Sequence, residues 1–136
     1  MAEPTEFLPA ERETPETVAR QAALWSGSDM SALASVLPLM LLASNTRRQI
    51  VHANQAFLDF TGQTMGQMVG RRPGEALGCR HALASAGGCG TTRFCRFCGL
   101  AKAVATGLDQ GRDTQECRIS RGPDHEYQAL NLQAWT

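Results

Sequence analysis

The chain has no long hydrophobic run. Its longest apolar stretch, residues 36–43, is eight residues long and contains Pro38. A membrane-spanning helix needs about 20 apolar residues, so none is expected. No sign of charge dominates, because 13 basic residues balance 13 acidic ones. That removes the global electrostatic footprint of a nucleic-acid or membrane-surface binder. Residues 1–7, M-A-E-P-T-E-F, lack the basic start and apolar core of a signal peptide, so a cytoplasmic location is expected. Catalytic signatures are missing as well. There is no phosphate-binding glycine loop, no nucleophile elbow, and no kinase or cyclase signature, and no enzyme activity is expected of this chain. Asp59 and Glu75 are isolated carboxylates that read as solvated, and Arg71 and Arg72 read as a charged loop.

Cysteine is plentiful by contrast, and it is clustered. Four of the five cysteines, Cys79, Cys89, Cys95 and Cys98, fall within residues 78–99 in a C-x9-C-x5-C-x2-C pattern, leaving Cys117 alone. In a reducing compartment such clustering favours metal or redox chemistry over structural disulfides. The charge, balanced globally, is uneven locally. Residues 1–20 carry a net of −3, and residues 71–102 a net of +5. The positive excess coincides with the cysteines, as suits a place where thiolates are held as anions.

With 136 residues, 43% of them hydrophobic, the chain is long enough for one domain with its own core. Residues 1–13 are polar, with two prolines, and read as mobile. Thr14-Pro15-Glu16 is a helix start: a capping hydroxyl, proline at the first position and acid in the first turn. Val18, Ala22 and Trp25 then form one apolar stripe, and Ser26-Gly27-Ser28 closes this helix. Asp29 reads as the cap of a second short helix running to about Leu37. The amphipathic first helix either packs on its own domain or serves dimerisation. Residues 39–44 and 50–53 read as two strands of a hairpin around a turn at 45–49. Asn54 stands where an N-cap is needed before a short helix stopped by Gly62, and Thr64 and Gln67 match a capping box closed by Gly70. Residues 73–77 form one more turn. Phe94, Cys98, Ala101 and Ala105 have helical spacing, which predicts one helix over residues 93–106 stopped by Gly107. Residues 115–119 and 126–136 read as strands around a turn at 121–124.

The order L-P-L-M-L-L-A-S-N, I-V-H-A-N-Q-A-F-L-D-F-T-G, M-V-G-R-R-P-G-E resembles the front half of a PAS domain, over residues 37–75. The resemblance implies an α+β fold: an antiparallel sheet flanked by short helices and one longer helix. It places an N-terminal tail and amphipathic helix at residues 1–28 and the PAS domain at 29–136. The family usually has a further strand after the one ending here, so the chain is expected to be the N-terminal part of a longer receptor. Residues 78–99 would then be a cysteine-rich insertion.

Four thiolates suit an iron–sulfur cluster or zinc, since soft sulfur ligands prefer those metals. The C-R-F-C pair would sit at the start of the long helix, whose dipole and free N–H groups favour thiolate. Gly87, Gly88 and Gly90 would let the loop around Cys89 fold about a ligand. Structural zinc usually shows two short C-x2-4-C pairs, and this chain has one, so an iron–sulfur cluster is favoured over zinc. A reversible thiol–disulfide switch and plain buried thiols are the other readings. Cys117 reads as core. F-C-R-F resembles the N-C-R-F of flavin-binding LOV photoreceptors, in which Cys95 would bond to the flavin. Here about twenty residues separate it from the V-G turn, so flavin is not expected. None of His52, His81 and His125 lies on the long helix, where PAS haem ligands commonly lie, so haem is not expected either. His81, two residues after Cys79, is an alternative metal ligand.

The expectation is therefore a signal-sensing PAS module of a histidine kinase, cyclase or regulator, with a Cys79, Cys89, Cys95 and Cys98 metal or redox centre. It would form a homodimer through the N-terminal helix and PAS domain and report to a C-terminal output domain. The alternative is a PAS interaction module that holds a small organic ligand, with structural cysteines.

Overall fold

A computed structural model describes residues 5–121 and 126–135, with side chains to Ile119. It comprises two compact units. One is Arg12–Ala76; the other joins the described parts of Met1–Glu11 and Leu77–Thr136. The α+β composition read from the sequence stands. The described strands pair as two separate two-stranded antiparallel sheets, one in each unit. No helix among the described residues is long and apolar enough to cross a membrane.

In the Arg12–Ala76 unit, helix α1 (Pro15–Ser26) starts as its sequence dictates, with the Thr14 hydroxyl accepting from Thr17 N–H. Helix α2 (Asp29–Val36) is capped by Ser28 rather than Asp29, which is its first helical residue. Helix α1, whose Val18 is buried, packs against strand β2 (Ile50–Ala53). Strand β1 is shorter than the sequence suggests, Leu42–Ser44, and pairs with β2 in the register Leu42↔Ala53. Asn54 is the knot of this unit. Its Oδ1 accepts from Leu41 N–H (3.0 Å) and Phe57 N–H (3.2 Å), and its Nδ2 donates to Ala34 O (3.0 Å) and Leu39 O (2.8 Å). One 4% exposed amide thus ties α2 and the approach to β1 to the start of α3 (Gln55–Thr61). Gly62 ends α3 in the left-handed conformation, φ 68°. Helix α4 (Met65–Met68) carries the complete Thr64–Gln67 capping box, and α5 (Pro73–Ala76) follows.

Two charged residues of this unit depart from their expected solvated state. Arg72 is 0% exposed, and its Nε donates to Arg47 O at 3.0 Å. Glu75 is ion-paired with Arg12 at 2.5 Å and accepts from Arg72 N–H. A buried guanidinium is tolerable only when hydrogen-bonded, which is the arrangement found. His52, half-buried, stacks on Trp25 with ring centroids 5.5 Å apart. Burial lowers its pKa.

In the other unit, residues 78–99 are mostly short helix and turn. A helix not expected from the sequence, α6 (Arg80–Ala84), opens the segment. The single helix predicted over residues 93–106 is two elements. A 3-10 turn, Arg93–Phe97, is followed by an extended Cys98 (φ −81°, ψ 124°), and α7 then runs Gly99–Gln110. Gly107 lies buried inside α7 and does not stop it; Gly111, at φ 92°, does. The break at Cys98 has a packing cause. A Cβ at Gly99 would overlap the Glu116 carbonyl oxygen and come within 3.1 Å of Cys117 Cα. The first turn of α7 is therefore seated on the backbone of strand β3 (Arg112–Arg121), a closeness that only glycine permits. Along β3, Cys117 and Ile119 are buried while Glu116 and Arg118 are exposed, the period-two pattern of a strand covered on one face. Strand β4 (Glu126–Trp135) pairs with β3 over ten residues, Cys117 opposite Leu130. The turn expected at 121–124 and His125 lie outside the described residues, apart from Arg121.

Candidate functional site

The tail expected to be mobile is fastened to the cysteine segment. Glu6 N–H donates to Thr91 O (2.8 Å) and Leu8 N–H to Gly90 O (2.9 Å). A Glu6 carboxylate oxygen accepts the Arg93 N–H at 2.8 Å, and the Glu6 carbonyl accepts Arg96 Nε at 2.8 Å. The acidic tail and basic segment seen in the local charge thus meet at identifiable atoms. Thr92, the residue before the 3-10 turn, makes no side-chain cap, because its hydroxyl lies 3.2 Å from Cys95 Sγ. Glu6 supplies the missing cap from the tail.

Each cysteine has its own setting. Cys79 is half-buried at the N-cap of α6. Cys89 is half-buried in a glycine turn, with Gly88 at φ 80° and Gly90 at φ 90°. That turn is closed by Thr91, whose hydroxyl donates to Gly88 O (2.7 Å) and lies 3.2 Å from Ser85 Oγ. Cys95 is buried in the 3-10 turn. Cys98 is half-buried at the N-cap of α7, not within the helix. Among the described residues, no group of three or more His, Cys, Asp or Glu is placed to hold a metal ion. His81 does not turn toward a cysteine ligand set; it stacks on Phe94, with centroids 4.2 Å apart, and Arg93 lies over the same ring. Burial first, then Arg80, lowers its pKa.

What the fold brings together is a different pair. Cys98 Sγ lies 3.7 Å from Cys117 Sγ. The pairing follows from the seat of Gly99 on β3: residue 98 is next to that contact, and Cys117 is the strand residue facing it. The hydrogen bond from the Cys117 thiol is the main reason the Cys98 thiol is pulled below its usual range, to about 6. Burial opposes this, and the backbone N–H groups of Ala101 and Leu100 and the charge of Lys102 assist. Cys117 is shifted the other way, upward, by the same hydrogen bond, by burial and by the neighbouring Cys98 charge. The result is a thiolate–thiol pair in which Cys98 is the nucleophile and Cys117 the proton holder. Sequence reasoning placed Cys117 in the core, which is correct for its burial and silent about its partner. Its only sequence signal is the inward register of β3.

No protein-family model and no curated protein matches the chain. Among solved structures, the chain is similar to the crystal structure of the PAS domain of an HTR-like protein from Haloarcula marismortui. The two are 18% identical, with 84% of this chain and 81% of that one covered and a TM-score of 0.48.

Proposed function

We propose that this chain is a PAS-like signal-sensing module of a larger sensor protein, and that its sensing element is the cysteine segment, acting through redox-active thiols. The PAS part of this reading is supported by the order of hairpin, Asn cap, glycine-stopped helix and capping box, all built as the sequence motifs imply. The sensing part is carried by one observation: a half-buried cysteine, Cys98, 3.7 Å from the Cys117 sulfur at the N-cap of a helix seated without clearance on a strand. Chemistry at that sulfur acts directly on the α7–β3 contact, which would couple a redox event to packing. The output partner would be a histidine kinase, cyclase or transcription regulator.

An iron–sulfur or zinc centre at Cys79, Cys89, Cys95 and Cys98 is the competing form, and it requires Cys98 to turn from Cys117 toward the other three. Protein purified anaerobically, with its ultraviolet–visible spectrum and an iron and zinc assay, separates the two. The thiol reading expects colourless, metal-free protein in which hydrogen exchange along α7 differs between reduced and oxidised samples. Stoichiometric iron or zinc, lost in Cys79→Ser, would replace it with the metal reading. Metal-free protein with identical exchange in both samples would end the sensing role of the segment.

A second role is favoured by a separate observation. Leu24 on α1 and Val36 on α2 are 74% and 75% exposed, with Met30 and Leu33 also exposed. Exposed apolar residues on neighbouring helices suit homodimerisation. Light scattering on Leu24→Glu/Val36→Glu should then give half the wild-type mass; an unchanged mass removes the dimer.

A further inference from the structure

Resting on the thiol reading above, we propose that Cys98 and Cys117 close a reversible intramolecular disulfide that fastens the first turn of α7 to β3. The sulfurs stand 3.7 Å apart. A disulfide bond is about 2.05 Å long, so they need approach by only about 1.7 Å. Gly99 holds the two backbones together, so chain diffusion is not required for the sulfurs to meet. The two differ in access: Cys117 is 0% exposed, whereas Cys98 is half-buried. An oxidant therefore reaches the pair through Cys98, and Cys117 is reached only from within.

The co-reactant is a low-molecular-weight disulfide. The Cys98 thiolate attacks one of its sulfurs, a Cys98–small-thiol bond forms, and one small thiolate leaves. The Cys117 sulfur then attacks the Cys98 sulfur, the mixed bond breaks, and the Cys117 proton departs with the second small thiol. Two protein thiols are oxidised, one small disulfide is reduced to two thiols, and no other reagent is consumed. The exposure of Cys98 decides which sulfur reacts first; the geometry decides the partner in the second step. The competing partners are Cys79, Cys89 and Cys95 of the same segment.

The test is incubation of the full chain with oxidised glutathione, followed by intact mass and non-reducing peptide mapping. The expected product is the loss of two hydrogens and a linkage between the peptides of Cys98 and Cys117. In Cys117→Ser and Cys117→Ala the small thiol should stay on Cys98 as an adduct at least about tenfold longer than in wild type. The wild-type map needs no variant, so a misfolded variant does not spoil the test. Linkage of Cys98 to Cys79, Cys89 or Cys95, or an adduct that persists in wild type, overturns the pair. Hydrogen exchange on the same samples separates this from the parent reading. A Cys98–Cys117 linkage with unchanged α7 exchange upholds the pair and removes the sensing role. Changed exchange without that linkage removes the pair and leaves the sensing role standing.

Discussion

Glu6 caps the turn that carries Cys95: its carboxylate accepts the Arg93 N–H at 2.8 Å, across 87 residues of sequence. This makes residues 5–8 part of the cysteine site. In Glu6→Ala the 3-10 turn loses its cap, and the tail keeps its backbone bonds to Gly90 and Thr91 and the Arg96 Nε bond to the carbonyl of residue 6. The expected cost is about 1 kcal/mol, the usual size of a capping loss. The sharper readout is Cys95, buried in that turn, which should label with a thiol reagent several-fold faster than in wild type. Peptide-resolved labelling that shows no change at Cys95 would mean the tail does not guard it.

Asn54 spends all its hydrogen-bonding capacity on four backbone groups. Asn54→Ala strands buried carbonyls and N–H groups, and should cost about 2–4 kcal/mol in urea unfolding. Asn54→Asp should be no better, since it loses both donors and turns a carboxylate toward the carbonyls of Ala34 and Leu39. A loss under about 1 kcal/mol in both would show that water replaces the side chain easily.

The pH dependence of Cys98 follows from its lowered pKa. As pH rises through about 6 the folded protein loses this proton, so the iodoacetamide rate at Cys98 should reach half its plateau there. An ordinary thiol reaches that point near pH 8.5. The unfolded chain keeps its proton to the ordinary value. Between those limits it binds more protons than the fold does, so stability rises with pH. Above the ordinary value the sign reverses, because folded Cys117 holds a proton that the unfolded chain has lost. Urea midpoints at about pH 5.5, 8.5 and 10 should therefore be highest at the middle value. A midpoint that falls steadily from the lowest pH would contradict the thiolate.

Gly99 and Gly27 make a controlled pair. Gly27 has nothing within reach of an added Cβ, and Gly27→Ala should change stability by less than about 1 kcal/mol. Gly99→Ala forces α7 off Glu116 and should cost about 1–3 kcal/mol or more. It should also raise the Cys98 pKa toward normal, since the sulfur would lose Cys117. Equal melting temperatures for the two variants would refute the close seat.

Where structure was legible in the sequence, the determinants were local. Thr14 with Pro15, Asn54 with Gly62, and Thr64 with Gln67 each settle a helix end within a few residues, and each does so here. The misreadings share a non-local cause. Gly107 looks like a stop because glycine disfavours helix, but it is buried within a helix packed on β3 and β4. The C-R-F-C pair has helical spacing, yet the approach of Gly99 to Glu116 forces Cys98 into an extended conformation. Arg72 and Glu75 look solvated until Arg47 and Arg12, far away in sequence, are placed beside them. The tail carried a legible hint in its charge, opposite to that of residues 71–102, but charge gives no register. Four cysteines in one segment drew attention to themselves, while the thiol that Cys98 meets lies 19 residues along the chain on a strand.

The seat of Gly99 also sets which motions remain open to α7. With backbone against backbone at residues 99 and 116, the helix cannot press closer to the strand. Its low-resistance path is to slide along β3, as on a rail. That strand is paired over ten residues with β4, so the rail is stiff along its length. A small sideways step at the first turn would then emerge at the Gln110 end as a translation of similar size, without melting the helix.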